Sequence, residues 1–243
     1  LNKQFAFEPR AGLSYAANDN HKFSFGYGMH YQNIPTPILF LNSEENGVLV
    51  QTNRSLDFVK SDHYVLGYDV KLRSNWRAKI ETYYQDISNV PVEAFPSSYS
   101  TITEGADFGF SSDKTSLVNK GTANNKGVEI TIERFFNKGY YALFTSSFYE
   151  SKYKGSDKIE RNSPFNNGFV VNFLAGKEFP IGKTKKNKFF TDTRITTAGG
   201  RYYTPVDLEA SRVMGYEVLQ DDSAYSQQYD NYYPLDWVLF NIS

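Results

Sequence analysis

Three histidines, His21, His30 and His63, are the side chains best suited to metal ligation or to proton transfer near neutral pH. No cysteine accompanies them, which excludes a disulfide framework and thiolate chemistry. His21 stands beside a turn, and His30 and His63 fall on separate segments. A metal site needs more ligands in register, so no metal and no cofactor is expected. Serine-nucleophile hydrolysis would favour a Gly-x-Ser-x-Gly elbow, and the chain has none. Glu129 and Glu133 are spaced to share one strand face, where pairing with Arg or Lys is a better use than acid–base catalysis. Asp221 and Asp222 are only two adjacent acids, a weak calcium signal. Lys183, Lys185, Lys186 and Lys188 form a solvated turn. No catalytic constellation emerges, and the chain is not expected to be an enzyme. What remains is recognition chemistry. Tyr153, Arg161, Asn162, Arg201, Tyr202 and Tyr203 are residue types that dominate binding surfaces, and they sit in or beside long loops.

The elements that must position these residues centre on 76–85. Trp76, Ala78, Ile80, Thr82 and Tyr84 alternate with Arg77, Lys79, Glu81, Tyr83 and Gln85. A period of two marks a strand with two unlike faces. Strands in soluble domains run about five or six residues, whereas a tilted strand crossing a bilayer needs roughly 9–11. The same pattern recurs at 7–17, 22–32, 62–72, 127–136, 140–152, 169–179 and 189–198, and a further strand begins near 232. Residues 169–179 alternate least cleanly, since Asn172 and Lys177 do not settle one face.

Connections alternate between short and long. Short turns centre on Asn18, Ser74, Lys138 and Lys183; long loops cover 34–59, 91–125, 154–167 and 199–230. Aromatic or large apolar residues bracket the short turns: Tyr15 and Phe23, Leu72 and Trp76, Phe136 and Tyr140, Phe179 and Phe189. Such rings are comfortable at a membrane–water interface. The reading is all-β: part of an antiparallel transmembrane β-barrel, with about nine strands present. Lys79, Glu81, Glu129, Glu133, Asp192 and Arg194 then face the lumen. Ile80, Ile130 and Phe144 face lipid, and the long loops lie outside the cell. Arg134 breaks the alternation but stands near a turn, where it can snorkel.

Composition agrees with this reading. Net charge is −1, so nothing points to nucleic acid. Mean hydropathy is −0.53, as a barrel with a polar lumen and polar loops allows. No run approaches the roughly 18 apolar residues of a transmembrane helix. Phe, Tyr and Trp make up 17 % of residues, which favours strands and interfaces. No signal peptide opens the chain, so its first residue is expected to be mature or internal.

Several stretches resemble the barrels of TonB-dependent outer-membrane receptors from Bacteroidetes, C-terminal part. They include Phe7-Glu8-Pro9-Arg10-Ala11-Gly12-Leu13-Ser14-Tyr15, Lys60-Ser61-Asp62-His63-Tyr64-Val65-Leu66-Gly67-Tyr68 and Tyr83-Tyr84-Gln85-Asp86-Ile87-Ser88-Asn89-Val90-Pro91-Val92. Gly127-Val128-Glu129-Ile130-Thr131-Ile132-Glu133-Arg134-Phe135-Phe136, Ser151-Lys152-Tyr153-Lys154-Gly155-Ser156-Asp157 and Ala198-Gly199-Gly200-Arg201-Tyr202-Tyr203-Thr204-Pro205 extend the resemblance along the chain. It implies a parent barrel of about 22 strands with a plugged lumen, located in the outer membrane. That parent would import a siderophore, glycan, peptide or similar scarce solute with energy passed through TonB. On this view residues 1–243 are a partial barrel domain lacking plug, TonB box and closing strands. Its partners are outer-membrane lipid, the rest of its own barrel and plug, TonB, and possible surface lipoproteins. A receptor-like barrel serving as scaffold for a surface lipoprotein or secretion complex, or a passive porin, is the alternative.

Overall fold

The fold is a computed structural model, which describes residues 5–73, 75–104, 114–220, 224–230, 235–236 and 241–242. Eight long strands follow in order: β1 (Arg10–Ala16), β2 (His21–Gln32), β3 (Val59–Arg73), β4 (Trp76–Glu93), β5 (Leu117–Asn137), β6 (Tyr140–Lys154), β7 (Phe169–Ile181) and β8 (Asn187–Ala198). Each pairs antiparallel with the next, so the sheet is a meander in chain order. Beyond β8, the short pieces Leu235–Asp236 and Asn241–Ile242 both pair with it. These stand where a ninth strand was expected; the rest of 231–243 lies outside the described residues. Among the described residues the sheet is an open path and does not close on itself.

Register sorts the side chains into two faces. One row across six strands reads Phe25, Leu66, Thr82, Val128, Phe148 and Phe169. The next reads Phe23, Tyr68, Ile80, Ile130, Ser146 and Val171. Leu66 is 56 % exposed, Ile80 46 % and Phe148 51 %. In a soluble sandwich a second sheet would cover such a face; no second layer does so among the described residues. The opposite face carries Asp69, Lys79, Thr131, Thr145, Asn172 and Thr196 in one row. Asn172 thus settles the face of β7: it bonds Thr145 and Thr196 across both neighbours. Lys177 goes to the apolar face near a turn, with its ammonium 4.7 Å from the Phe179 ring.

The short turns explain themselves. Lys138 and Gly139 have φ of 53° and 79°, the left-handed pair a two-residue hairpin needs. Arg134 does not reach solvent there. It is 4 % exposed, donates to the carbonyl oxygens of Tyr140 and Asn137, and lies over the Tyr140 ring. The expected snorkelling is replaced by capture within the hairpin.

Two strands are longer than the alternation suggested. β4 has 18 residues and β5 has 21, so the connection read as 91–125 shrinks to 94–116. Pro91, the first residue of the expected loop, lies inside β4, where register shifts between Ile87 and Val90 and again at Pro91. Such an irregularity tolerates a residue that cannot donate to the ladder. The loop at 34–59 also holds structure: a helical turn (Thr36–Leu39), a hairpin of Ser43–Glu45 with Val48–Val50, and a 3-10 turn (Thr52–Ser55). Buried apolar residues gather at this loop end. Ile34, Ile38, Leu56 and Leu117 form one cluster, and Ile87, Val90, Ala123 and Tyr153 another.

Candidate functional site

The polar face is zoned along the strands. Toward the short turns it is charged. Lys79 pairs with Glu81 at 2.6 Å, Arg77 grips Asp69 with two nitrogens, and Glu133 stands opposite Arg77. Glu81 and Glu129 are direct cross-strand partners. Asp192 accepts from the Tyr141 hydroxyl at 2.6 Å, while Arg194 lies opposite Leu174 and Asp236. Lys79, Glu81, Glu129, Glu133, Asp192 and Arg194 therefore all occupy this one face, as register requires.

Toward the long loops two successive rows of the same face carry no carboxylate or ammonium from β3 to β6. One row is His63, Gln85, Asn125 and Ser151; the next is Val65, Tyr83, Gly127 and Tyr149. Asn125 Nδ2 donates to Gln85 Oε1 at 2.8 Å, and Gln85 Nε2 donates to Ser61 Oγ at 2.8 Å. A 340 Å³ cavity opens against this wall, lined by Tyr83, Gln85, Asn125, Tyr149, Ser151 and Phe165 among others. That volume falls in the range of small-molecule sites, about 300–1,000 Å³. Sequence reasoning placed Tyr83 and Gln85 on the polar set but did not single them out. The available signal was the absence of charge at Tyr83 and Gln85 in an otherwise charged set.

A second cavity of 820 Å³ lies among the loops, and Tyr153 and Arg161 both line it. Tyr153 is 1 % exposed and meets the Tyr225 ring edge-on at 6.0 Å. Arg161 donates to both oxygens of Asp157, at 3.0 and 2.7 Å. Burial pushes the Asp157 carboxyl up, but the Arg161 hydrogen bonds and the Ile159 N–H outweigh it and hold its pKa below the ordinary value. Asn162 accepts from Asn166 Nδ2 at 3.1 Å. Arg201 lies 5.5 Å from the Phe165 ring. Tyr202 and Tyr203 pair with Gln228 and Gln227, and the Tyr203 ring stacks on Tyr229 at 4.2 Å. Of the six loop residues, Tyr153 and Arg161 line this larger cavity, Tyr153 lines the smaller one as well, and the other four line neither.

The histidines do not converge. His21 Nδ1 is 2.6 Å from the Tyr68 hydroxyl, His30 meets Arg10 at 3.2 Å, and the His63 ring faces Tyr83 edge-on at 6.1 Å. No metal-holding group of acids and histidines occurs among the described residues. Asp221 and Asp222 lie outside them.

A family model described as "TonB dependent receptor-like, beta-barrel" matches residues 2–243. Among solved structures, the ferric-catecholate import receptor Fiu from K12 E. coli is 13 % identical. That match covers 80 % of this chain and 24 % of that one, with a TM-score of 0.55. The FrpB iron transporter from Neisseria meningitidis is likewise 13 % identical over 80 % of this chain and 27 % of that one, with a TM-score of 0.50. The chain spans about a quarter of the length of either structure, and at this identity the likeness concerns the fold alone. No curated protein matches the chain.

Proposed function

This chain belongs to the TonB-dependent receptor-like β-barrel family, a family of transport receptors and not of enzymes, and from that membership we propose that it forms part of an outer-membrane barrel importing a scarce solute at the expense of energy relayed by TonB. The observation that carries the reading is the single-layer sheet with one exposed apolar face and one polar face. Lipid covers the first, and the second lines a lumen. Lys79, Glu81, Glu129, Glu133, Asp192 and Arg194 belong to the lumen wall. In this reading residues 1–243 are one portion of a barrel domain. The remaining strands, a plug and the TonB contact come from the rest of the parent protein.

The sequence runs 7–15, 60–68 and 127–136 support a bacteroidete source for that parent. Solute capture falls to the loop end, where the cavities lie, and Arg201, Tyr202 and Tyr203 are proposed to take part in it from the loop after β8. The iron-related names of the two solved receptors describe those proteins and do not fix the solute here.

Deleting the parent gene tests the reading. Uptake of a scarce nutrient should fall to background, and complementation with a receptor unable to engage TonB should not restore it. Full rescue without TonB engagement would mark a passive porin. Loss of a surface complex with uptake intact would mark a scaffold.

A further inference from the structure

We propose that the neutral zone of the polar face is a subsite for an uncharged, hydroxyl-rich solute, namely the sugar rings of an oligosaccharide. This rests on the transport reading and deepens it.

Charge is the first argument. The charged residues lining the two cavities are Lys152, Glu93, Lys114, Asp157 and Arg161. Each is engaged inside the chain: Lys152 with Glu150 at 2.6 Å, Lys114 with Glu93 at 2.9 Å, and Arg161 with Asp157 at 2.7 Å. An anionic metal chelate or phosphate is held by Arg or Lys that turns its donors to the ligand. These cations turn theirs to carboxylates instead.

Shape and donor chemistry are the second. Tyr83, Tyr149 and Phe165 supply ring surface around the smaller cavity, and Gln85, Asn125 and Ser151 supply neutral polar atoms. A pyranose has apolar C–H faces and an edge of hydroxyls that both donate and accept. Primary amides also do both. The bond from Asn125 to Gln85, continued from Gln85 to Ser61, fixes the orientation of both amides. It leaves Asn125 Oδ1 and the second hydrogen of each amide for a ligand. A prearranged polar set of this kind loses little on binding. Gly127 completes the wall. A Cβ there would come within 2.8 Å of the Tyr83 hydroxyl and 2.9 Å of Tyr149 Cβ, so glycine lets the two tyrosines approach across the strand between them.

The test uses the intact parent receptor in detergent, titrated calorimetrically with maltohexaose, xylohexaose, mannohexaose and a fructo-oligosaccharide. A ferric catecholate and a neutral hexapeptide are titrated beside them. At least one oligosaccharide should bind, and Tyr149→Ala or Asn125→Asp should weaken it roughly tenfold or more. Heat-modified migration on gels confirms that each variant still forms a barrel. Binding of the chelate or the peptide alone, no oligosaccharide binding, or oligosaccharide binding insensitive to both substitutions would each overturn the proposal. Growth of the deletion strain separates this from the wider reading. A defect only under iron limitation leaves transport intact and removes the sugar; no defect on any glycan or under iron limitation removes both.

Discussion

Arg161 and Asp157 form a two-pronged ion pair, 3.0 and 2.7 Å, inside the loop that follows β6, with the Arg161 side chain 7 % exposed. The pair holds the Asp157 pKa below its unfolded value of about 3.9, with burial opposing and the Arg161 bonds prevailing. A depressed carboxylate stabilises the fold above its unfolded pKa, and that contribution is lost as pH falls through the folded pKa. Hydrogen exchange over residues 155–163 should therefore show steady protection from pH 7 to pH 5, after correction for intrinsic rates. Protection should fall only below the ordinary carboxylate range. Arg161→Gln should lose it already at pH 7. Equal protection in the variant would show that the pair does not order the loop.

Gly127 sets a steric limit. A methyl there would meet the Phe148 carbonyl oxygen at 2.8 Å and the Tyr83 hydroxyl at 2.8 Å. The carbonyl belongs to the backbone and cannot swing aside. Gly127→Ala should cost about 1–3 kcal/mol, visible as a lower temperature of heat-modified migration. Gly26 is also on β2's polar face, with nothing within 4 Å of an added Cβ, and Gly26→Ala should be nearly silent.

The two faces predict an alternating response to lipid. Spin labels placed singly along 76–86 should be quenched by a lipid-soluble reagent at Ile80, Thr82 and Tyr84 and spared at Lys79, Glu81 and Tyr83. A profile without a period of two would refute the assignment. By the same logic Ile80→Arg should destabilise the barrel by about 2–4 kcal/mol if it lies near the midplane, whereas Lys79→Arg should change little.

Topology follows from antiparallel pairing, which sends every second connection to the same side. A tag inserted at Ser111 tests this in principle, but that residue lies outside the described structure. Tyr216 is described and 61 % exposed, in the connection after β8. A tag beside Tyr216 should label on intact cells, and one at Lys138 should label only after the outer membrane is opened. Labelling of Lys138 alone would invert the topology.

The period of two determined the strands and their faces. Lys79, Glu81, Glu129 and Glu133 are assigned together by sequence spacing, because side chains alternate strictly along any extended backbone. Turn-forming residues marked the reversals at Asn18, Ser74, Lys138 and Lys183, and at Lys138-Gly139 both residues take the left-handed angles that a two-residue hairpin needs. What sequence could not supply was anything depending on distance across the chain. Pro91 looked like an end and is an irregularity inside β4. Tyr153 and Arg161 carry residue types suited to binding, but that Tyr153 is closed over beside Tyr225 and that Arg161 pairs with Asp157 is decided only by the fold. The neutral wall of Gln85, Asn125 and Ser151 comes from three strands whose residues meet only once register is set. Local alternation is a property of each strand, but which neutral residues stand side by side is a property of the pairing between strands.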